Sequence, residues 1–200
     1  MRLGLSTPVV VQVPGMASHW EGEAGIEDLS RIASAADELG FEYLTCSEHV
    51  AIPSVDAADR GAVYWEPLAT LGFLAARTRR IRLATSVLVL GYHHPLEIAK
   101  RYGTLDRVSG GRLVLGVGIG SLKKEFDLIG APWQQRAARA DVDLGNMCLD
   151  LPQHCTPRRL TSARSANFSL LCPRQFIPQS SRASFHTSNR AIHPGHWLKA

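Results

Sequence analysis

Apolar residues along the chain fall into two rhythms that take turns. Residues 2–13 carry an apolar run through Val9-Val10-Val11, the pattern of a strand buried on both faces, as parallel strands are. Ile26, Leu29, Ile32, Ala33, Ala36 and Leu39 then recur at spacings of three and four, which predicts an amphipathic helix; Gly40 stands where such a helix ends in the left-handed conformation. Residues 41–46 predict a second, short strand that finishes in the polar Ser47-Glu48-His49. A loop rich in Ala, Asp and Pro leads to Pro67, after which Leu68, Leu71, Leu74 and Ala75 mark a helix with proline in its first turn. Residues 81–90, rich in Leu and β-branched side chains, predict a third strand. Pro95 opens a helix through Ile98, Ala99, Tyr102 and Leu105, and Ser109-Gly110-Gly111 breaks it. Residues 112–117 predict a fourth strand that runs into Gly116-Val117-Gly118-Ile119-Gly120.

Strand–helix alternation of this kind means parallel strands joined by right-handed crossovers, and leaves a barrel or a doubly wound sheet as the candidate architectures. A dinucleotide-binding sheet needs a glycine fingerprint at its first strand–helix turn, and Val13-Pro14-Gly15-Met16 does not supply one. The glycines at 116, 118 and 120 fail G-x-G-x-x-G as well, since Ser121 and Lys123 follow them.

Composition narrows the class. With 200 residues, 45% hydrophobic content and mean hydropathy near zero, the chain can fill a domain, and its longest apolar stretches, such as residues 83–90, are too short to span a bilayer. The start lacks the layout of a secretory signal, so a cytoplasmic location is expected. Cysteines at 46, 148, 155 and 172 form no CxxC pair and match no histidine spacing, which argues against a zinc site or a disulfide framework. The net charge of +4 is concentrated near one end. Of the 18 acidic residues only Asp143 and Asp150 lie beyond position 142, whereas Arg158, Arg159, Arg164, Arg174, Arg182, Arg190 and Lys199 accumulate there among Ser, Thr and Pro.

Three segments in order, Ser47-Glu48-His49-Val50, Ala84-Thr85-Ser86-Val87 and Gly116-Val117-Gly118-Ile119-Gly120, resemble the luciferase-like monooxygenase superfamily, and within it the branch that uses the deazaflavin coenzyme F420. Asp106-Arg107-Val108-Ser109-Gly110-Gly111-Arg112 and Lys124-Glu125-Phe126-Asp127 extend the resemblance, which covers residues 1 to 142. It implies an α/β fold of the (β/α)8 TIM-barrel type, truncated here after about four βα units, with its chemistry at the carboxyl ends of the strands. The three motifs fall at or near the strand ends read independently from periodicity.

The resemblance further implies F420 as cofactor, with FMN as the alternative, and hydride transfer or oxygen activation on a small-molecule substrate. His49 takes the position of a histidine near the ring that serves in proton transfer or substrate orientation, a task suited to an imidazole. Glu48, one residue away, is expected to be structural. Ser86 and Val87 match the family's non-prolyl cis peptide, which backs the ring. Gly118 and Gly120 are the glycines expected to let backbone approach the cofactor. His93-His94-Pro95 is not expected to hold a metal, because neighbouring histidines before a helix seldom converge on one ion.

From residue 143 the family pattern is no longer recognisable. Pro152, Pro157, Pro173, Pro178 and Pro194 interrupt most possible helices, and residues 143–200 read as an irregular, basic Ser/Arg/Pro-rich tail, with translation out of frame as one origin. A nucleic-acid-binding tail has only its charge in favour and no aromatic-basic module. Four strands leave sheet edges open, so self-association is expected.

Overall fold

The computed structural model describes residues 3–149 and 168–171. Strand β1 (Gly4–Ser6) opens the chain, and β2 (Val11–Gln12) follows. Next come helix α1 (Ile26–Glu38), β3 (Tyr43–Cys46), the short α2 (Ala57–Arg60), β4 (Val63–Tyr64) and α3 (Pro67–Arg77). Strands β5 (Arg82–Thr85) and β6 (Leu88–Val89) lead through a 3-10 turn to α4 (Pro95–Val108), β7 (Leu113–Gly118), α5 (Lys123–Leu128), α6 (Arg136–Leu149) and β8 (Phe168–Leu171).

β1 pairs with β3, β3 with β5, and both β5 and β6 with β7, all parallel. α1, α3 and α4 connect successive strands of this sheet and pack in that order, α1 on α3 and α3 on α4, with α6 beside α4. The strand–helix progression is the one read from the periodicity, and its parallel order is that of the (β/α) barrel wall implied by the family resemblance.

Both faces of the sheet are buried, as continuous apolar strands require. Leu44, Cys46, Leu83, Leu113, Leu115 and Val117 meet Leu29, Ala33, Leu71, Leu74, Ile98, Tyr102 and Leu105 of the helices in one core. The alternate positions Tyr43, Ala84 and Val114 form a smaller cluster on the opposite face. Gly4 belongs to that face: a Cβ there would sit 2.0 Å from the Tyr43 ring.

Local chemistry sets the helix ends. Asp28 accepts from the Gly25 N–H at the start of α1 at 3.0 Å, and Gly40 ends it with φ +80°. Glu66 caps α3 by accepting from Leu68 N–H and Ala69 N–H, with Pro67 at the first position. Asp37, at the end of α1, accepts from the backbone N–H groups of Arg79, Arg80 and Ile81 at 2.8, 2.9 and 2.5 Å and so fixes the entry to β5. Burial works against ionisation of this carboxyl, but the three N–H donors hold it below its usual range.

Four expectations need correction. The first strand is not continuous over residues 2–13. Val9 takes a positive φ of 75°, its N–H donates to the buried Glu21 carboxylate, and the chain turns so that β2 pairs antiparallel with β4 in a separate two-stranded sheet. The third strand is likewise two strands, β5 and β6, interrupted at Ser86–Val87. Third, a boundary at 142/143 would cut through α6, which runs unbroken to Leu149 and buries Ala140, Leu144 and Met147. Lastly, β8 lies within the segment read as irregular and pairs antiparallel with β7, Leu115 opposite Leu171 and Gly118 opposite Phe168. The expectations for residues 150–167 and 172–200 fall outside the described residues. Among the described residues no helix is long and apolar enough to cross a membrane.

Candidate active site

The carboxyl ends of β3 and β5 are stitched together. Ser47 Oγ donates to the Ser86 carbonyl at 2.7 Å, Ser86 N–H donates to the Cys46 carbonyl at 2.8 Å, and Glu48 N–H donates to the Val87 carbonyl at 3.3 Å. The Ser86–Val87 peptide between them is cis.

Beyond this seam two dipeptides face each other. Glu48 and His49 leave the end of β3, and Tyr92 and His93 leave the turn after β6. Glu48 Oε1 lies 2.6 Å from His93 Nε2, while its Oε2 accepts from Val89 N–H at 2.6 Å. Its neighbour points elsewhere: His49 Nδ1 lies 2.8 Å from Glu125 Oε2, and the imidazole edge packs against the Tyr64 ring with centroids 4.5 Å apart. Tyr92 donates its hydroxyl to the same Glu125 oxygen at 2.5 Å. Adjacent residues on extended backbone thus send their side chains to different partners. His94 turns away from both pairs and uses Nδ1 to accept from Leu96 N–H at the start of α4. The two neighbouring histidines do not converge, and among the described residues no group of three His, Cys, Asp or Glu could hold a metal.

Glu125 has no solvent exposure. One oxygen accepts from the backbone N–H groups of Val50 and Ala51, the latter at 3.0 Å, and the other meets His49 and Tyr92. Burial raises the carboxyl's affinity for a proton, but hydrogen bonds from His49, Tyr92 and Ala51 outweigh it and hold the group below its usual range. Burial, together with the hydrogen bond to this carboxylate, pushes the Tyr92 phenol upward. His93 is raised by its hydrogen bond to Glu48, against the effect of burial. Among the described residues the second nitrogen of His49, Nε2, has no hydrogen-bond partner; the side chain is 17% exposed.

With this geometry in view, comparison with known proteins decides the family. The profile of the luciferase-like monooxygenases matches residues 1–141. The chain belongs to that family. It is 39% identical over 99 residues to 4-hydroxyprotoasukamycin monooxygenase of Streptomyces nodosus subsp. asukaensis, covering 50% of this chain and 25% of that protein. It is 37% identical over 116 residues to an F420-dependent glucose-6-phosphate dehydrogenase of Nakamurella multipartita, covering 58% and 33%. The crystal structure of the monooxygenase RslO1 from Streptomyces bottropensis superposes with a TM-score of 0.61 at 27% identity, over 89% of this chain and 49% of that one. The chain therefore spans between a quarter and a half of the length of these relatives.

The remaining expected residues of this luciferase-like chain sit at the same rim. Gly118 ends β7 opposite Val89 of β6. Gly120 follows with φ +79°, and the space where its Cβ would stand is filled by Phe126, 2.5 Å away, and by Val89, 3.0 Å away. Its carbonyl accepts from Arg136 Nε at 3.3 Å. Phe126 stacks edge-on against both Tyr92 and Trp133, so the loop after β7 is anchored from inside.

Glu125 and Tyr92 were not read as site residues. The first stands in a helix turn among Lys123, Lys124 and Asp127, where nothing local distinguishes a buried carboxylate from the exposed charges around it. Its partner His49 is 76 positions away. Only the motif resemblance around Glu125-Phe126 pointed toward it.

Proposed function

We propose that this chain carries the cofactor-facing strand ends of an oxidoreductase that uses F420, with FMN as the alternative, acting on a small-molecule substrate. The observation that carries the reading is a single juxtaposition. A histidine with one nitrogen committed to a buried carboxylate and the other, among the described residues, without a partner stands beside the cis Ser86–Val87 peptide, joined to it through Ser47.

Buried polar chemistry at the rim fits a polar, flat ligand. The hydroxyl of Thr7, just past β1, is buried and has no hydrogen-bond partner among the described residues, an unusual state unless a ligand or water completes it. Ser86 and Val87 would back the ring, Gly118 and Gly120 would present backbone to it, and His49 would hold or move a proton at Nε2. When bound, the cofactor supplies hydride transfer or oxygen activation, and the protein supplies position, proton handling and exclusion of water.

One observation favours a second reading, a non-catalytic protein that keeps the fold without the cofactor site. β8 occupies the far edge of β7 in antiparallel sense, where the parallel progression of the sheet would continue. Fluorescence titration with F420 and, separately, with FMN distinguishes the two. Saturable binding of F420 is expected, with His49→Ala weakening it by no more than about tenfold, the scale of one hydrogen bond. A folded sample that binds neither cofactor overturns the proposal in favour of the second reading.

A further inference from the structure

We propose that Glu125 is a positioning residue that sets the tautomer of His49, leaving Nε2 as a bare lone pair directed away from the carboxylate. This deepens the oxidoreductase reading and rests on it for its functional meaning, although its test does not need the cofactor.

Donor and acceptor counting carries the argument. Glu125 Oε1 takes two backbone N–H groups, from Val50 and Ala51, and these can only donate. Oε2 takes the Tyr92 hydroxyl at 2.5 Å and His49 Nδ1 at 2.8 Å. A fully buried carboxylate with four such neighbours is an acceptor at every contact. In the neutral ring the proton must then sit on Nδ1, which leaves Nε2 without one. Nε2 can accept a proton from a bound group, forming an imidazolium that the adjacent carboxylate stabilises while keeping no proton itself. In water the neutral histidine side chain prefers the opposite tautomer, so the arrangement is imposed by the site.

The two sides of Glu125 differ, and that makes an isosteric substitution decisive. In Glu125→Gln the amide oxygen must face Val50 N–H and Ala51 N–H, because the reverse orientation sets donor against donor twice. The NH2 group then faces His49 Nδ1 and the Tyr92 oxygen. Nδ1 has to accept, the ring proton moves to Nε2, and a proton acceptor becomes a donor. Tyr92→Phe removes one donor to Oε2 but leaves the carboxylate–imidazole contact, so the original tautomer persists.

The experiment is nitrogen NMR of the histidine-labelled chain without cofactor, at a pH where the ring is neutral, with the His49 signals assigned by their loss in His49→Gln. In the unsubstituted protein Nδ1 resonates as a protonated nitrogen and Nε2 as a bare one. Glu125→Gln inverts the pair and Tyr92→Phe does not. An Nε2–H tautomer in the unsubstituted protein overturns the proposal. So does a folded Glu125→Gln protein whose tautomer is unchanged, since Glu125 would then be a structural tie only. If Glu125→Gln does not fold, the unsubstituted spectrum and Tyr92→Phe still decide. Failure of cofactor titration with the expected tautomer present would count against the oxidoreductase reading and leave this one standing.

Discussion

Gly120 is where the expectation from sequence and the packing can be separated by one methyl group. Its φ of +79° is open to glycine but costs an L-residue about 1–2 kcal/mol. A Cβ would stand 2.5 and 2.8 Å from Cε2 and Cζ of Phe126 and 3.0 Å from Val89 Cγ1, well inside contact distance. Phe126 is fully buried and held edge-on by Tyr92 and Trp133, so it has little room to withdraw. Overpacking of this kind costs about 1–3 kcal/mol, giving about 2–5 kcal/mol in all for Gly120→Ala. For a unit of this size that is a fall in melting temperature of about 4–20 °C. Thermal and denaturant unfolding followed by circular dichroism measures it. A double-mutant cycle with Phe126→Leu separates the shares: in the Leu background the alanine should cost only the backbone part, a coupling of about 1–3 kcal/mol. If Gly120→Ala melts with the parent, or costs the same in both backgrounds, then the Phe126 contact does not explain this glycine. Lost cofactor binding with unchanged stability would instead mark Gly120 as a close-approach position for the ring.

Three further outcomes follow from the same structure. Asp37→Ala removes a carboxylate that receives three N–H bonds and should cost about 3 kcal/mol, which chemical denaturation measures; a loss below about 1 kcal/mol would mean the loop before β5 holds without it. Two groups give stability opposite pH dependences. Glu125 ionises below its ordinary 4.5 in the fold, so its contribution is complete above that value and disappears as pH falls through the folded value. His93 is raised above 6.5, so its contribution is complete below 6.5 and is lost as pH rises through the folded value. Glu125→Gln should flatten the acid limb and His93→Gln the limb above 6.5 in denaturation midpoints measured against pH, and unchanged limbs would refute the assignments. Finally, Cys46 is buried, and burial pushes its thiol up to about 12. In a variant with Ser at 148, 155 and 172, iodoacetamide at pH 8 should label it only at the rate of unfolding; prompt labelling would refute its burial.

Periodicity alone was enough for α1, α3, α4, β3 and β7, because each is amphipathic or continuously apolar and ends in a local signal: Gly40, Pro67, Pro95 or Ser109-Gly110-Gly111. Parallel alternation and the three motifs at strand ends supplied the architecture and the candidate histidine. What only the tertiary structure decided has long-range partners. The break of the first strand depends on Glu21 reaching Val9, 12 positions away. The fate of Gly120 depends on an aromatic ring from α5, and the helix through residue 142 is held by the face it buries against α4. The site follows the same rule. His49 was legible as a polar residue at a strand end, but a buried carboxylate is defined by what donates to it. The donors to Glu125 come from Val50, Ala51, Tyr92 and His49, which meet only when β3, the turn after β6 and α5 have packed together.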